Sequence, residues 1–266
     1  MTPVAFKRSI RDLQVWCSSC MVAFSGSDPI GVLIGAKRPS GTLVHTIAVH
    51  PDHCRQGHGR HLLTSLSSKL AILGPPRIVA EVPEAREPAR GLFMSCGYVA
   101  EAVLTDYVLE SGEMPGLGTR ASGLDLNADA LEASQRLVIP VTVDDLAANG
   151  LIAEAHPQAC WERAMETLTA RKDKISGLAI ASDDRIEAAI LYIKDGEHGE
   201  IVRLGMFIED GGVRLRQLLS RLRDRDAGSY QFPKVNADEI STELLRTLGF
   251  RPAGRYSLYA TRAQSQ

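Results

Sequence analysis

The sequence lacks any apolar run that approaches the roughly 18 residues needed to cross a bilayer. It also lacks an excess of one charge, since 30 Lys and Arg residues stand against 32 Asp and Glu residues and the net charge is −2. A protein that binds nucleic acid or an anionic membrane is usually basic, so we expect neither partner. The opening stretch MTPVAFKRSIRDLQ has no signal-peptide core, and we expect a cytoplasmic protein.

Cysteine is scarce, with five residues at irregular spacing. An odd number without a regular pattern does not indicate the disulfide framework of a small secreted protein. Cys17 and Cys20 form a CSSC pair, but the chain offers no second ligand pair for a structural zinc site. We interpret the pair as reduced cysteines beside a strand.

The chain has 266 residues, of which 44% are apolar, so it can form one large domain or two ordinary ones. Its apolar patterns predict the order strand, helix, strand, helix, strand twice. RHLL at 60–63 corresponds to RQLL at 216–219, and LFMSCGY at 92–98 corresponds to LLRTLGF at 244–250. A repeat of this length indicates duplicated domains rather than a solenoid.

The two halves are separated by residues 110–123, ESGEMPGLGTRASG, which contain four glycines, one proline and little that a core would bury. Such a composition indicates a linker. We therefore predict an N-terminal domain over 1–110, a linker over 111–135 and a C-terminal domain over 136–266.

Residues 50–61, HPDHCRQGHGRH, contain four of the seven histidines. The spacing of these histidines and Cys54 permits a zinc site. However, leucines occupy one face of the helix predicted after Gly57, and only Asp52 is present to orient a metal-bound imidazole. We therefore predict no metal here.

The alternative for this segment is a phosphate-binding loop. Gly57 and Gly59 allow a tight turn and a close approach of a ligand to the main chain. The helix that follows leaves unpaired N–H groups at its N-terminus, where its dipole favours an anion. Backbone amides from Arg55 to Arg60 would bind a pyrophosphate, with both arginines adding charge.

The segment TIAVHPDHCRQGHGRHLL resembles the acetyl-CoA-binding motif of the GNAT superfamily of N-acetyltransferases, in which Arg/Gln-x-x-Gly-x-Gly/Ala joins a strand to a helix. The stretch from Ala89 to Tyr98 resembles the second signature of that family. The resemblance covers about 20–109 well, and 136–262 only in the order of elements. It implies an α/β (α+β) protein with two GNAT-like domains, each a mixed, mainly antiparallel sheet flanked by helices.

The resemblance implies an acetyl-CoA site in the first domain. We expect its residues on the strand, in the loop with the first helical turn and at the second signature: Ile47, Ala48, Val49, Arg55, Gln56, Gly57, His58, Gly59, Arg60, Arg86 and Phe93. Three positions depart from the family pattern. Cys54 stands where Arg or Gln is usual, Arg86 where Asn is usual, and Phe93 where many members have a Tyr that protonates the leaving thiolate.

The reaction of the family, attack of an amine on a thioester, requires a base and an oxyanion donor. The resemblance assigns the donor to the backbone N–H of Ile47. His45 is the first candidate base because imidazole titrates near neutral pH, although a structural role is equally open. Glu81 is the second candidate, and its alternative is a solvent-facing carboxylate. Cys96 and Tyr98 are either proton donors to the thiolate or packing residues.

The corresponding loop in the second half reads FIEDGGVRLRQLL. Counting back from RQLL places the two glycine positions on Val213 and Leu215, and Glu209 and Asp210 would repel a phosphate. We therefore expect this domain to have lost coenzyme binding. It would complete the acceptor cleft of the first domain or hold the two domains as a pseudo-dimer.

These observations predict an N-acyltransferase that moves an acetyl group from acetyl-CoA to a primary amine of a small molecule or peptide, by direct attack in a ternary complex. The alternative is a non-catalytic acyl-CoA-binding or regulatory module, which Cys54, Phe93 and the short N-terminal region favour. We expect no metal cofactor, and either a monomer or a homodimer.

Overall fold

The computed structural model describes residues 7, 10–110, 137–152, 158–196, 198–225 and 228–264. The predicted linker, apart from Glu110, lies outside the described residues. Contacts within the chain define two compact units. Unit 1 comprises Met1–Leu104, Pro157–Ala170 and Arg255–Gln266, and unit 2 comprises Thr105–His156 and Arg171–Gly254.

The described helices and strands follow the order predicted from the sequence. In chain order they are β1 (Met21–Ser25), β2 (Asp28–Arg38), β3 (Gly41–Val49), α1 (His58–Leu73), β4 (Arg77–Pro83), α2 (Glu87–Ser95), β5 (Val99–Leu109), β6 (Leu137–Val141), α3 (Val143–Ala148), α4 (Met165–Arg171), β7 (Ser176–Ala181), β8 (Ile186–Asp195), β9 (His198–Met206), α5 (Val213–Arg225), β10 (Ser229–Asn236), α6 (Thr242–Thr247) and β11 (Arg251–Arg262).

The sheet of unit 1 has the strand order β1-β2-β3-β4-β11-β5, with the first part of β5 and most of β11 belonging to this unit. β3 and β4 are parallel, whereas β1 and β2, β2 and β3, and β4 and β11 are antiparallel. The strand that follows β4 in the sheet therefore comes from the far end of the chain.

Helix α1 covers one face of this sheet. Its apolar residues recur at helical spacing, and four leucines are buried: Leu62, Leu63, Leu66 and Leu70. They pack in one cluster with Val44 and Ile78, and burial of each leucine contributes about 1.5–3 kcal/mol. The helix ends at Gly74, whose φ of 53° is readily adopted by glycine.

The opposite face of the sheet is covered by residues from the second half of the sequence. Successive side chains of a strand point to opposite faces, and Val79 and Leu258 pack with Cys160 and Trp161 in a separate cluster. The segment 158–170 thus belongs to unit 1, although it lies within the predicted C-terminal domain.

Unit 2 has the strand order β5-β10-β9-β8-β7-β6. β9 and β10 are parallel, and the pairs β6 and β7, β7 and β8, and β8 and β9 are antiparallel. Helix α5 buries four leucines against the sheet: Leu215, Leu218, Leu219 and Leu222. Both units are mixed, mainly antiparallel sheets with helices, as predicted from the sequence.

The compact units differ from the predicted division into 1–110 and 136–266. Residues 105–109 group with unit 2, whereas 158–170 and 255–264 group with unit 1. The boundaries of independently folding domains stay a prediction. In the described part of the chain, no helix combines the length and apolar character that a membrane span requires.

Candidate functional site

Strands β3 and β4 are neighbours only at their beginning. Thr42 pairs with Ile78 and Leu43 pairs with Val79, and no further pair between these strands occurs in the described structure. From Val44 onward the β4-facing edge of β3 is therefore open. An open parallel edge supplies backbone donors and acceptors for an extended ligand.

A β-bulge in β3 lies where this opening begins. Ile34 of β2 is opposite Thr46 and Gly35 is opposite Val44, so that His45 has no counterpart in the register. Bulges redirect side chains and are frequent beside active sites. The His45 side chain is exposed here. Since His45 and Glu81 each lie two residues beyond the last β3–β4 pair, they flank the opening.

Glu81 is held by a residue that lies 80 positions away in sequence. Its Oε1 accepts a hydrogen bond from the backbone N–H of Trp161 at 2.6 Å. The Trp161 indole in turn donates to the carbonyl of Leu13 at 3.0 Å. A bond between a backbone amide and a carboxylate is short and directional, so it fixes the orientation of Glu81. No local sequence feature near Glu81 signals this contact.

Arg38 anchors the turn that carries Trp161. Its Nη2 donates to the Trp161 carbonyl at 2.8 Å and to Thr167 Oγ1, and its Nε donates to Gln14 Oε1 at 2.8 Å. The guanidinium carbon lies 3.9 Å from the Trp161 ring centroid. Burial lowers the pKa of Arg38 to about 10, although Glu166 and other nearby groups act in the opposite direction. Arg38 therefore remains a cation at neutral pH.

The loop between β3 and α1 ends in the predicted glycine turn. Gly57 has a φ of 90° and precedes the first helical residue, and no side chain caps the helix. In the first turn of α1, the backbone N–H of His61 is the first that donates to a carbonyl, and it bonds to Gly57 O at 2.9 Å. For the amides of His58, Gly59 and Arg60 the described chain supplies no acceptor, so they are available to an anion.

Two exposed side chains of this loop form hydrogen bonds within it. Cys54 Sγ lies 3.5 Å from the carbonyl oxygen of His50, and Gln56 Nε2 donates to the Asp52 carbonyl at 3.0 Å. Both side chains therefore contribute to holding the loop together. Contact of Gln56 with a coenzyme stays a prediction.

The second glycine of the motif serves helix packing. A Cβ atom at Gly59 would lie 3.1 Å from Leu92 Cδ2, so glycine permits the close approach of α1 and α2.

Phe93, which follows Leu92 in α2, is 3% exposed and packs edge-to-face on Tyr98 with ring centroids 5.0 Å apart. Arg86 is exposed at the N-cap of α2. A coenzyme contact of Phe93 or Arg86 stays a prediction.

Arginine and histidine side chains lie in and beside the loop between β3 and α1. Arg55 and Arg60 are exposed. The ring centroid of His53 lies 6.0 Å from that of His50 and 6.1 Å from that of His58. Among the residues that the structure describes, no group of three or more His, Cys, Asp or Glu side chains is arranged to hold a metal ion.

Unit 2 retains the glycine turn that we expected it to have lost. Helix α5 begins at Val213, three residues before RQLL, whereas α1 begins at His58, two residues before RHLL. As a result Gly212, with a φ of 84°, takes the place of Gly57. Counting back from RQLL missed this glycine because α5 begins one residue earlier relative to that motif.

A carboxylate of the chain itself occupies the N-terminus of α5. Asp210 accepts hydrogen bonds from the backbone N–H groups of Gly212 at 2.8 Å and Arg214 at 3.0 Å. The buried Arg214 guanidinium donates to Asp210 at 2.8 Å and to Glu187 at 2.6 Å. Burial alone would raise the pKa of Asp210, but the hydrogen bonds from Arg214 and Gly212 outweigh it and hold that pKa below its usual range.

Replacing Asp210 by Asn is expected to lower the free energy of unfolding at pH 7 by about 1–3 kcal/mol, because charge-assisted hydrogen bonds are lost. The lowered pKa means that this stabilisation is present above the ordinary pKa of Asp and lost as the pH falls through the folded-state value. In urea unfolding, the difference in the free energy of unfolding between the wild type and Asp210→Asn should therefore shrink as the pH falls from 7 to 3. Asp224→Asn, on the exposed side of α5, is the control, and a pH-independent difference would contradict the interpretation.

Comparisons with known proteins agree with this geometry. Residues 3–98 match the Acetyltransferase (GNAT) family. Over 96 residues, 36% of the chain, the sequence is 31% identical to the L-amino acid N-acyltransferase MnaT of Escherichia coli (strain K12), and the match spans half the length of that relative.

Two solved structures are similar over most of the chain. One is a tandem GNAT protein from the clavulanic acid biosynthesis pathway, with a TM-score of 0.64, 15% identity and coverage of 97% of this chain and 88% of that one. The other is a GCN5-related N-acetyltransferase from Sphaerobacter thermophilus, with a TM-score of 0.63, 15% identity and coverage of 92% and 81%. At this identity the likeness shows the fold.

Proposed function

We propose that the protein is an N-acyltransferase, because residues 3–98 match the Acetyltransferase (GNAT) family and the chain has the fold of a tandem GNAT protein. It would transfer an acetyl group from acetyl-CoA to a primary amine of a small molecule or peptide. The observation that carries the proposal is the open edge of β3 leading directly into the uncapped N-terminus of α1.

The residues of unit 1 fit acetyl-CoA. The pairing of β3 with β4 ends at Leu43, which leaves room beside β3 for an extended arm at the predicted contacts Ile47 and Ala48. The unpaired amides of the first turn of α1 suit a pyrophosphate, and the exposed Arg55 and Arg60 add positive charge. When bound, the coenzyme supplies a thioester carbonyl that an amine can attack.

Glu81 and His45 are the residues that we propose to take the proton from the amine. Glu81 is fixed by the Trp161 amide at one end of the opening, and His45 is exposed on the bulge. One of them would accept the proton directly or through a water molecule. The backbone N–H of Ile47 would donate to the oxyanion, a contribution of a few kcal/mol in related chemistry.

Unit 2 is proposed to bind no coenzyme. The Asp210 carboxylate already accepts the first amides of α5, and Glu187 and Asp210 neutralise Arg214. A pyrophosphate would have to displace the Asp210 carboxylate and approach that of Glu187, which is unfavourable in a partly buried site. One acyl-CoA site per chain follows.

A non-catalytic acyl-CoA-binding module is the second candidate. The observation in its favour is Phe93, which is buried and has no hydroxyl to protonate a leaving thiolate. Steady release of free thiol from acetyl-CoA, in the presence of a panel of primary amines, decides between the two. Acetylated amine formed in step with thiol supports the transferase, whereas binding of acetyl-CoA without product from any amine supports the module.

A further inference from the structure

The proposed reaction does not use Cys17 and Cys20, yet the fold of unit 1 brings these two residues together. Cys17 is the first residue of a 3₁₀ turn, Cys17–Ser19, and Cys20 follows this turn directly. The backbone N–H of Cys20 donates to the carbonyl of Cys17 at 3.0 Å. Because a four-residue turn of this kind brings its first and last Cα atoms to less than about 7 Å, the two cysteines are close enough for a disulfide.

The position of the Cys20 sulfur also favours a bond to Cys17. In a 3₁₀ turn, residues three apart lie one above the other. Cys20 Sγ lies 3.3 Å from the carbonyl oxygen of Trp16, and the carbon of that carbonyl is bonded to the backbone nitrogen of Cys17. The Cys20 sulfur is therefore already beside Cys17, and a disulfide requires rotation of side chains rather than movement of distant segments.

The turn is fixed at its two ends and in its middle. The residue pair Val15 and Ala36 joins the preceding segment to β2, and β1 pairs with β2 from Met21 onward. Between the cysteines, Ser19 packs on Gly35, where an added Cβ atom would lie 2.7 Å from Ser19 Cβ. A turn that is already ordered loses little conformational entropy when a disulfide closes, and it keeps each cysteine at a high effective concentration near the other.

Reagents in solution have access to this pair. Cys17 is exposed, Cys20 is half-buried, and both are free cysteines in the structure. They are also the only two cysteines within three positions of each other in the sequence. An accessible thiol with a second thiol beside it is the arrangement in which one sulfur attacks a disulfide and the other completes the exchange.

We propose that Cys17 and Cys20 are a redox-active pair, which a low-molecular-weight disulfide oxidises to an intramolecular disulfide. The Cys17 thiolate attacks one sulfur of the small disulfide, forms a mixed disulfide and releases one thiolate. The Cys20 thiolate then attacks the Cys17 sulfur, closes the intramolecular bond and releases the second thiolate. The two cysteines lose two electrons and two protons, and the small disulfide takes them up to become two thiols.

The test incubates the full chain with glutathione disulfide and then alkylates the remaining thiols. Trypsin cleaves after Arg11 and Lys37, so both cysteines lie in one peptide, 12–37, that contains no other cysteine. We expect mass spectrometry of this peptide to show the loss of both alkyl groups and of two hydrogens. Treatment with dithiothreitol before alkylation should restore both alkyl groups.

Two variants separate the intramolecular bond from general thiol reactivity. Cys20→Ser should stop the exchange at the mixed disulfide, so that peptide 12–37 retains one glutathione. Cys54→Ser, which removes an exposed thiol outside the turn, should leave the oxidation of peptide 12–37 unchanged. The proposal is overturned if both alkyl groups remain in the treated wild type, or if its peptide 12–37 retains glutathione in place of the intramolecular bond.

A comparison with the unfolded chain tests the part that the turn plays. At a fixed total glutathione concentration, the ratio of glutathione disulfide to glutathione that oxidises half of the pair should be about tenfold lower for the folded chain than for the chain in urea, because the turn already holds the cysteines together. Equal ratios would contradict the proposal. Neither result depends on acyl transfer, so failure of the proposed function is detected separately.

Discussion

Replacing Gly57 by Asp is expected to weaken acetyl-CoA binding by about 100-fold or more, equivalent to about 2.8 kcal/mol. Gly57 has a φ of 90°, where a side chain costs roughly 1–2 kcal/mol. The new carboxylate would also lie at the uncapped N-terminus of α1 and compete with the pyrophosphate for its amides, just as Asp210 accepts the first amides of α5 in unit 2. Calorimetric titration of the variant measures the loss.

Gly26→Asp is the matched control for this variant. Gly26 also has a positive φ, 62°, and no atom lies within 4 Å of a Cβ built there, but it belongs to the turn between β1 and β2. Both variants should lose similar stability in urea unfolding, whereas only Gly57→Asp should lose acetyl-CoA. Equal affinity of the two variants for acetyl-CoA would show that the loop does not bind the coenzyme.

Replacing Glu81 by Gln is expected to lower kcat by roughly 10²- to 10⁴-fold, the usual contribution of a general base. Gln retains an oxygen that can accept the bond from the Trp161 amide, so the geometry at the end of the opening is preserved. The affinity for acetyl-CoA should stay unchanged. The corresponding test on the bulge is His45→Ala, measured with the same amine.

Glu84→Gln is the control for the loss of one carboxylate near the end of β4, because the Glu84 carboxylate forms an ion pair with Arg255 at 3.6 Å. Its kcat should equal that of the wild type. A large loss in either Glu81→Gln or His45→Ala identifies the base. Wild-type turnover in both variants would mean that neither residue accepts the proton.

Much of unit 1 was predictable because its signals are local. The leucine spacing after Gly57 and the Gly74-Pro75 stop are local signals of a helix, and α1 spans His58–Leu73. The turn residues at 25–29 are a local signal of a hairpin, which β1 and β2 form. The predicted glycine turn at Gly57 does precede a helix whose N-terminus no side chain caps, since glycine conformation and helix polarity are properties of a few adjacent residues.

The contacts between distant segments were not predictable. Nothing near Glu81 signals that the Trp161 amide will bind it, and nothing in β4 signals that its neighbour in the sheet comes from residues 251–262. Strand register depends on the complementarity of whole faces and not on a local motif. The same limit explains the error in unit 2, where one added residue in α5 moved the glycine turn to Gly212.

The most direct test of one coenzyme site in unit 1 and none in unit 2 is the stoichiometry of acetyl-CoA binding. Calorimetric titration of the full chain should give one site per chain, and Gly57→Asp should remove it. Two sites per chain would contradict the role given to Asp210, and no binding at all would contradict the acyltransferase assignment.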